Sequence, residues 1–170
     1  MALIHSLKNF NAFADGKSLM GVIEEIKLPK LGRKMEGFRG GGMDGEVEVD
    51  LGQEKLELEL VLGGFALDAY KSYGITKAAG AMVRYAGAYQ RDDTGEVQAV
   101  EVVTRGRYKE IDPGDAKGGD KGKTVVKAAL TYYKLVVDGK EVIEIDLLGF
   151  VYKVDGKDML EAQRKAIGLA

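Results

Sequence analysis

Apolar and polar residues alternate one for one along several stretches of this chain, and two such stretches lie almost back to back. In EVEVDL (46–51), Glu46, Glu48 and Asp50 project to one side of an extended backbone while Val47, Val49 and Leu51 project to the other. In EKLELEL (54–60), Lys55, Glu57 and Glu59 alternate with Leu56, Leu58 and Leu60. A period of two is the signature of a half-buried β-strand. Gly52-Gln53 predicts a turn between them, and so a hairpin of 46–51 with 55–62 whose acidic faces share one sheet surface.

The same pattern predicts GVIEEIKLP (21–29) as a strand, and 82–90 with 97–111 as a longer pair around Arg91-Asp92-Asp93-Thr94-Gly95. Asp-Gly pairs favour tight reversals, because glycine tolerates positive φ and aspartate bonds its own local backbone. They recur at Asp15-Gly16, Asp138-Gly139 and Asp155-Gly156. The middle pair joins LTYYKLVV to EVIEIDLL, so residues 130–148 predict two antiparallel strands. Two segments carry helical spacing instead: FALDAYKSYG (65–74), and KDMLEAQRKAIGLA (157–170), where Met159, Leu160, Gln163 and Ile167 fall along one side. The expected fold is mainly β, with one short mid-chain helix and a C-terminal helix.

Length and composition, 170 residues with 45% apolar and 31% charged, suit a single domain over 1–170. Twenty-four glycines against two prolines imply many reversals and few rigid loops. Five of those glycines fall within EGFRGGGMDG (36–45), directly before a strand. That stretch is expected to be flexible, and DPGDAKGGDKGK (112–123) is expected to be an exposed, flexible connection. A net charge of −2 leaves no basic surplus for gripping a nucleic-acid backbone. The absence of cysteine removes disulfides, thiolate metal sites and a cysteine nucleophile. No uncharged run approaches the eighteen or so residues of a membrane span, and the N-terminus lacks a basic leader before an apolar stretch, so the chain is expected to be cytosolic when made.

Candidate chemistry is sparse. The sole histidine, His5, has no serine–acid constellation near it in sequence. Gly16-Lys17-Ser18 and Gly122-Lys123-Thr124 resemble the end of a phosphate loop, but the earlier glycine that loop requires is replaced by Asn11 and Lys117. Tyr132, Tyr133, Arg105, Arg107 and Lys109 could stack nucleic-acid bases; in a chain with net negative charge, cross-strand tyrosine–arginine pairing in a half-buried sheet is the favoured account. The acidic alternation of Glu46, Glu48, Asp50, Glu57 and Glu59 allows three readings. It is a solvated outer face, a wall facing an aqueous channel that repels phosphates, or a binding face for a cationic partner or Ca²⁺. No two carboxylates have distinguishable environments, so nothing points to acid–base catalysis.

The order of three blocks carries more information than any of these motifs. LPKLGRKMEGFRGGGMDGEVEVDLG (28–52), YKEIDPGD (108–115) and YYKLVVDGKEVIEID (132–146) together resemble the major tail tube protein of contractile-tailed bacteriophages and R-type pyocins, or tailocins, over nearly the whole chain. The resemblance implies an antiparallel β-sandwich or barrel-like domain, similar also to the tube component of type VI secretion. It implies six-membered rings that stack helically into a rigid hollow tube inside a sheath. Such a tube is a conduit for phage DNA ejection or the penetrating tube of a tailocin, in a particle assembled in the host bacterial cytoplasm.

No catalytic residue, cofactor or metal is implied, and the protein is not expected to be an enzyme. The implied partners are further copies of itself, the sheath, the baseplate and tail terminator proteins, a tape measure protein in the lumen, and DNA in transit without sequence-specific binding. No membrane anchor is implied. By position, residues 32–45 match a loop that reaches a neighbouring subunit. The contact residues are then Leu31, Arg33, Lys34, Glu36, Phe38, Arg39, Gly40, Gly41, Gly42, Met43 and Asp44, and Glu46, Glu48, Asp50, Glu57 and Glu59 are the candidates to face the lumen. The acidity of residues 46–59 departs from the family pattern.

Overall fold

The computed structural model describes residues 1–169. In chain order, the strands before the mid-chain helix are β1 (His5–Ala14), β2 (Lys17–Ser18), β3 (Ile23–Lys27), β4 (Arg33–Phe38), β5 (Val47–Gln53) and β6 (Leu56–Gly63). Helix α1 (Leu67–Ser72) is followed by β7 (Ala81–Arg91), β8 (Val97–Asp112), β9 (Lys123–Val137), β10 (Lys140–Asp146), β11 (Val151–Val154), β12 (Lys157–Asp158) and α2 (Glu161–Ala166). Ten strands form one antiparallel sheet in the order β12-β11-β10-β9-β8-β7-β1-β2, with β6 joining at β9 and β3 at β6. The three Asp-Gly pairs each place both residues at positive φ, as two-residue hairpin turns require: Asp138 at 49° and Gly139 at 78°, with close matches at residues 15–16 and 155–156.

β9 is the spine. Its first half pairs with β6 and its second half with β10 on the same edge, while β8 runs along its other edge throughout. A flat sheet cannot serve two such partners, and the strands bend instead. The bend is visible in the register: Gly106 faces Leu130 and Arg105 faces Tyr132, which leaves Thr131 as an extra residue in β9. This bulge exchanges the faces along β9, so Val126, Ala128 and Leu130 are buried before it and Tyr133 after it. Gly106 sits at the crossing, where a Cβ would stand 2.8 Å from the Leu130 Cα, leaving room for no side chain.

The bend wraps the sheet around one core, the barrel-like closure expected of the fold. Leu56, Leu58, Leu60 and Leu62 form a buried row on β6, and they share a cluster with Val83 and Tyr85 of β7, Val102 of β8 and Ile145 of β10, against which Phe10 of β1 and Tyr152 of β11 pack. Strands from opposite ends of the sheet contribute to it, which only a coiled sheet allows. Each fully buried leucine contributes roughly 1.5–3 kcal/mol. On β7 the hydroxyls of Tyr85 and Tyr89 meet at 2.9 Å across Gly87, and the Phe10 ring stacks on Tyr85 at 5.8 Å between centroids. Burial raises the pKa of the Tyr85 hydroxyl, and its bond to Tyr89 adds to the shift.

Several expectations need correction. The hairpin of 46–51 with 55–62 does not form: β5 pairs with β4, whereas β6 pairs with β3 and β9. Positive φ at Gly52 turns the chain out of β5, but the two strands go to different sheets because only β6 fits the core. The C-terminal helix is confined to Glu161–Ala166, since Lys157–Asp158 pair with β11 first. It buries no side chain and is tied down by Arg164, which donates to the Phe150 carbonyl at 2.9 Å and pairs with Asp158. The connection 112–123 is exposed along most of its length, and its return end is held by Gly64 N–H bonding the Gly122 carbonyl and by Lys121 pairing with Glu24.

Two outcomes follow. Gly106→Val should cost at least the roughly 1–3 kcal/mol typical of overpacking, because the obstruction is backbone; urea unfolding measures it. Second, the Arg91 guanidinium, 2.6 Å away, and the Leu3 N–H hold the Asp93 carboxyl at a pKa of about 2, below the ordinary value of about 3.9. A depressed carboxylate stabilises the fold fully above its unfolded pKa and loses that contribution as pH falls through the folded one. The stability advantage of wild type over Asp93→Asn should therefore shrink between about pH 4 and pH 2, read from unfolding curves across that range.

Candidate assembly interface

β4 and β5 form a separate two-stranded hairpin with only limited contact to the rest of the molecule. Residues 31–50, expected in part as a loop, are therefore largely a β-arm. Opposed residues share a face, and the register sets Phe38 against Val47, Glu36 against Val49, Gly37 against Glu48 and Met35 against Asp50. One face of the arm thus carries Phe38, Val47, Val49 and Leu51 with Glu36, and the other carries Glu46, Glu48 and Asp50 with Met35 and Arg33.

The glycine stretch is the tip of this arm and forms an ordered turn. Met43 N–H bonds the Gly40 carbonyl at 3.3 Å, Arg39 Nε donates to the Met43 carbonyl at 3.2 Å, and Gly40 N–H approaches the Met43 sulfur at 3.1 Å. Of the three consecutive glycines only Gly42 needs positive φ, at 81°. Gly40 is constrained differently, because the Phe38 ring lies 3.2 Å from where its Cβ would stand. At Gly37 a Cβ would run into the Glu46 carboxylate. The tip turns tightly for these separate reasons.

At the base, Arg33 Nε donates to both Asp50 oxygens, at 3.2 and 2.9 Å, and its guanidinium lies 4.8 Å over the Tyr152 ring of β11. The Asp50 carboxyl is held below the usual range by Arg33 first and by the Gly52 N–H second. A polar cavity of about 660 Å³ separates this base from α2, with Gln53, Asp146 and Gln163 on its walls.

Among the described residues, none packs over the arm's apolar face. Val47, Val49 and Leu51 are 50%, 43% and 51% exposed, whereas Leu56, Leu58 and Leu60, in an identical alternation, are 1–2% exposed. Leaving Phe38, Val47, Val49 and Leu51 half in water forgoes several kcal/mol that burial would contribute. Other large apolar side chains are exposed near the N-terminus (Leu3, Ile4), around α1 (Met20, Phe65, Leu67) and at the C-terminal end (Leu148, Ile167, Leu169). On the arm, where Phe38, Val47, Val49 and Leu51 share one face, exposed apolar surface of this kind marks contacts between macromolecules.

The carboxylates assigned to one channel wall divide between two places. Glu46, Glu48 and Asp50 belong to the arm and do not lie on the main sheet. Glu57 and Glu59 lie on the outer face of β6, opposite its leucines. Lys109 pairs with Glu57, and Lys27 and Lys127 stand across from Glu59, so this face alternates in charge. Lys109 and Lys55 hold the Glu57 carboxyl below its usual range. No group of three or more His, Cys, Asp or Glu side chains that could hold a metal ion occurs among the described residues.

Tyr132 and Tyr133 point to opposite faces: Tyr133 is in the core, and the Arg105 guanidinium lies 4.9 Å over the Tyr132 ring, the cross-strand pairing the pattern allowed. The Tyr132 hydroxyl donates to Glu144 at 2.7 Å. His5 stands on β1 across from Arg91. No helix among the described residues is long and apolar enough to cross a membrane.

Sequence reasoning placed Arg33, Phe38 and the glycines in a contact segment but assigned Val47, Val49 and Leu51 to a buried face. The missed signal is local: MEGF and EVEVDL flank a glycine-rich turn, which is itself a hairpin pattern.

A family model described as phage tail tube protein FII matches residues 4–168. The chain is 46% identical over 172 residues to the tail tube protein of Escherichia phage P2, covering 99% of this chain and 100% of that one. It is 41% identical over 142 residues to the major tail tube protein of Serratia phage KSP20, covering 82% and 81%. Among solved structures it is similar to a chain of the sheath-tube complex of an extracellular contractile injection system, PVC, in the extended state. The TM-score is 0.55 at 10% identity, over 76% of this chain and 88% of that one. A chain of the anti-feeding prophage tube-terminating cap superposes with a TM-score of 0.57 at 10% identity, over 75% and 87%. At that identity the structures speak for the fold, and the sequence relatives speak for descent: the chain belongs to the phage tail tube protein FII family.

Proposed function

We propose that this structural subunit closes into six-membered rings, that the rings stack helically into a hollow tube, and that the arm of residues 31–51 makes the contact between rings. The arm's uncovered apolar face carries the proposal. A chain that folds Leu56–Leu62 into a core and leaves an equally apolar strand in water is built for a second copy. Heterologous contacts close into rings or continue as a helical stack, according to the rotation they impose. The free edges of β1 and β3 suit the first contact, since pairing edge to edge removes exposed strand edges.

In this reading the tube lies inside a sheath, meets baseplate and terminator proteins at its ends, and holds a tape measure protein before DNA passes. The related chains found in a sheath-tube complex and in a tube cap support that placement. The particle is a phage tail or a tailocin, assembled in the host cytoplasm. The outer face of β6, with Glu57 and Glu59 among lysines, is the face we assign to the lumen; alternating charge gives a passing polyanion no continuous surface to grip. The carboxylates of the arm lie at contacts between subunits instead. A binding module for a cationic partner or Ca²⁺ lacks its premise, because the two acidic strands do not share a surface.

Electron microscopy of the purified protein over a wide concentration range should show rings and tubes, and monomers alone throughout would overturn the proposal. Replacing Gly40, Gly41 and Gly42 with valine should shorten or abolish tubes while moving the melting temperature little. Unaltered tube length with an altered melting temperature would place the tip's role in the fold. Glu57→Lys with Glu59→Lys should leave tubes intact and slow DNA ejection; normal ejection kinetics would put this face elsewhere.

A further inference from the structure

The arm needs a seat, and the molecule carries a concavity of matching character. A cleft of about 450 Å³ opens between α1 and the sheet, floored by Leu60, Leu62 and Ala69. Phe65 and Leu67 stand on its rim, 74% and 53% exposed, and the Phe65 ring stacks on Tyr70 at 5.2 Å, which holds it upright beside the opening. The cleft's own chain does not fill it. The arm of the same copy departs from the Tyr152 side of the molecule and contacts little beyond its base.

Charge on the two surfaces corresponds as well. Lys17, Lys71 and Asp68 line the cleft, and none of the three has an ion-pair partner among the described residues. Asp15, also on its wall, already accepts a bond from the Met82 N–H at 3.0 Å. The arm's apolar face carries charges of its own at the outer end: Glu36 lies among its apolar side chains and Arg39 follows Phe38 directly, and neither has an ion-pair partner among the described residues. An apolar ridge with one cation and one carboxylate meets an apolar cleft whose Lys17, Lys71 and Asp68 are left without ion-pair partners among the described residues. Complementary charges of this sort fix register and exclude wrong partners.

We infer that the arm of one copy seats in the α1 cleft of a second copy, with Phe38 against Leu67, Arg39 toward Asp68, and Glu36 toward Lys17 and Lys71. The inference rests on the tube reading and names its contact. It makes α1 a receptor for a neighbouring subunit, which accounts for a six-residue helix that keeps Leu67 and Phe65 in water.

The chain has no cysteine, so paired cysteines can report proximity without background. Phe38→Cys and Leu67→Cys proteins, mixed and oxidised under assembly conditions, should give an intermolecular disulfide dimer at least tenfold more abundant than Phe38→Cys mixed with Val97→Cys. Dilution below the assembly threshold should abolish it. Separately, Arg39→Glu and Asp68→Arg should each shorten tubes, and the two together in one chain should restore length. Tubes of normal length without the 38–67 crosslink, or crosslinking equal to the Val97 control, would overturn the seat while leaving the tube reading in place. Wild-type protein that forms no rings or tubes would overturn the tube reading and the seat with it.

Discussion

An antiparallel sheet has two faces, and a chain of this size has enough apolar side chains to bury one. Everything in the main body follows from putting that face inside. β9 reaches from β6 to β10 along one edge, and the sheet can enclose its own face only if β8 and β9 bend together. The extra residue at Thr131 and the missing side chain at Gly106 permit the bend. Once it is made, the leucines of β6 face Val102 and Tyr85 across a closed interior, and the opposite face becomes a charged exterior.

That constraint also decides where the arm goes. β5 carries the same alternation as β6, but the interior has room for one such strand against β9. Pairing β5 with β4 satisfies its backbone hydrogen bonds without a place in the core, and its apolar face is left half exposed. Arg33 joins this hairpin to the body through a carboxylate on one side and an aromatic ring on the other. The arm's direction therefore depends on a polar contact, while the body depends on packing.

Several strands and turns were legible in the sequence, because period-two alternation and Asp-Gly reversals are local signals, whereas β1, β4, β11 and the first half of β9 were not anticipated. The pairings around 130–148 and 82–111 appear where those signals put them. The partner of Val47–Leu51 was not legible. EVEVDL and EKLELEL are equivalent as patterns, and which one is buried depends on contacts with β9 more than sixty residues later. The same gap misled the reading of the carboxylates, since alternation tells which residues share a strand face and says nothing of which strands share a surface. The contact role expected of residues 32–45 came from resemblance, and the segment's form as a hairpin from the structure.

The carboxylates of the arm have a bearing on the time before assembly. A newly folded subunit carries two free hairpin edges and an apolar stripe in a solution crowded with copies of itself, the situation in which strands add to one another without register. Glu36 lies within that stripe, and Glu46, Glu48 and Asp50 line its reverse side, so two arms stacked in parallel would bring like charges together. Random arm-to-arm growth is disfavoured for as long as the subunit waits. The same carboxylates that shape the arm's reverse face thus bear on the isolated subunit's solubility as well as on the arm's contacts.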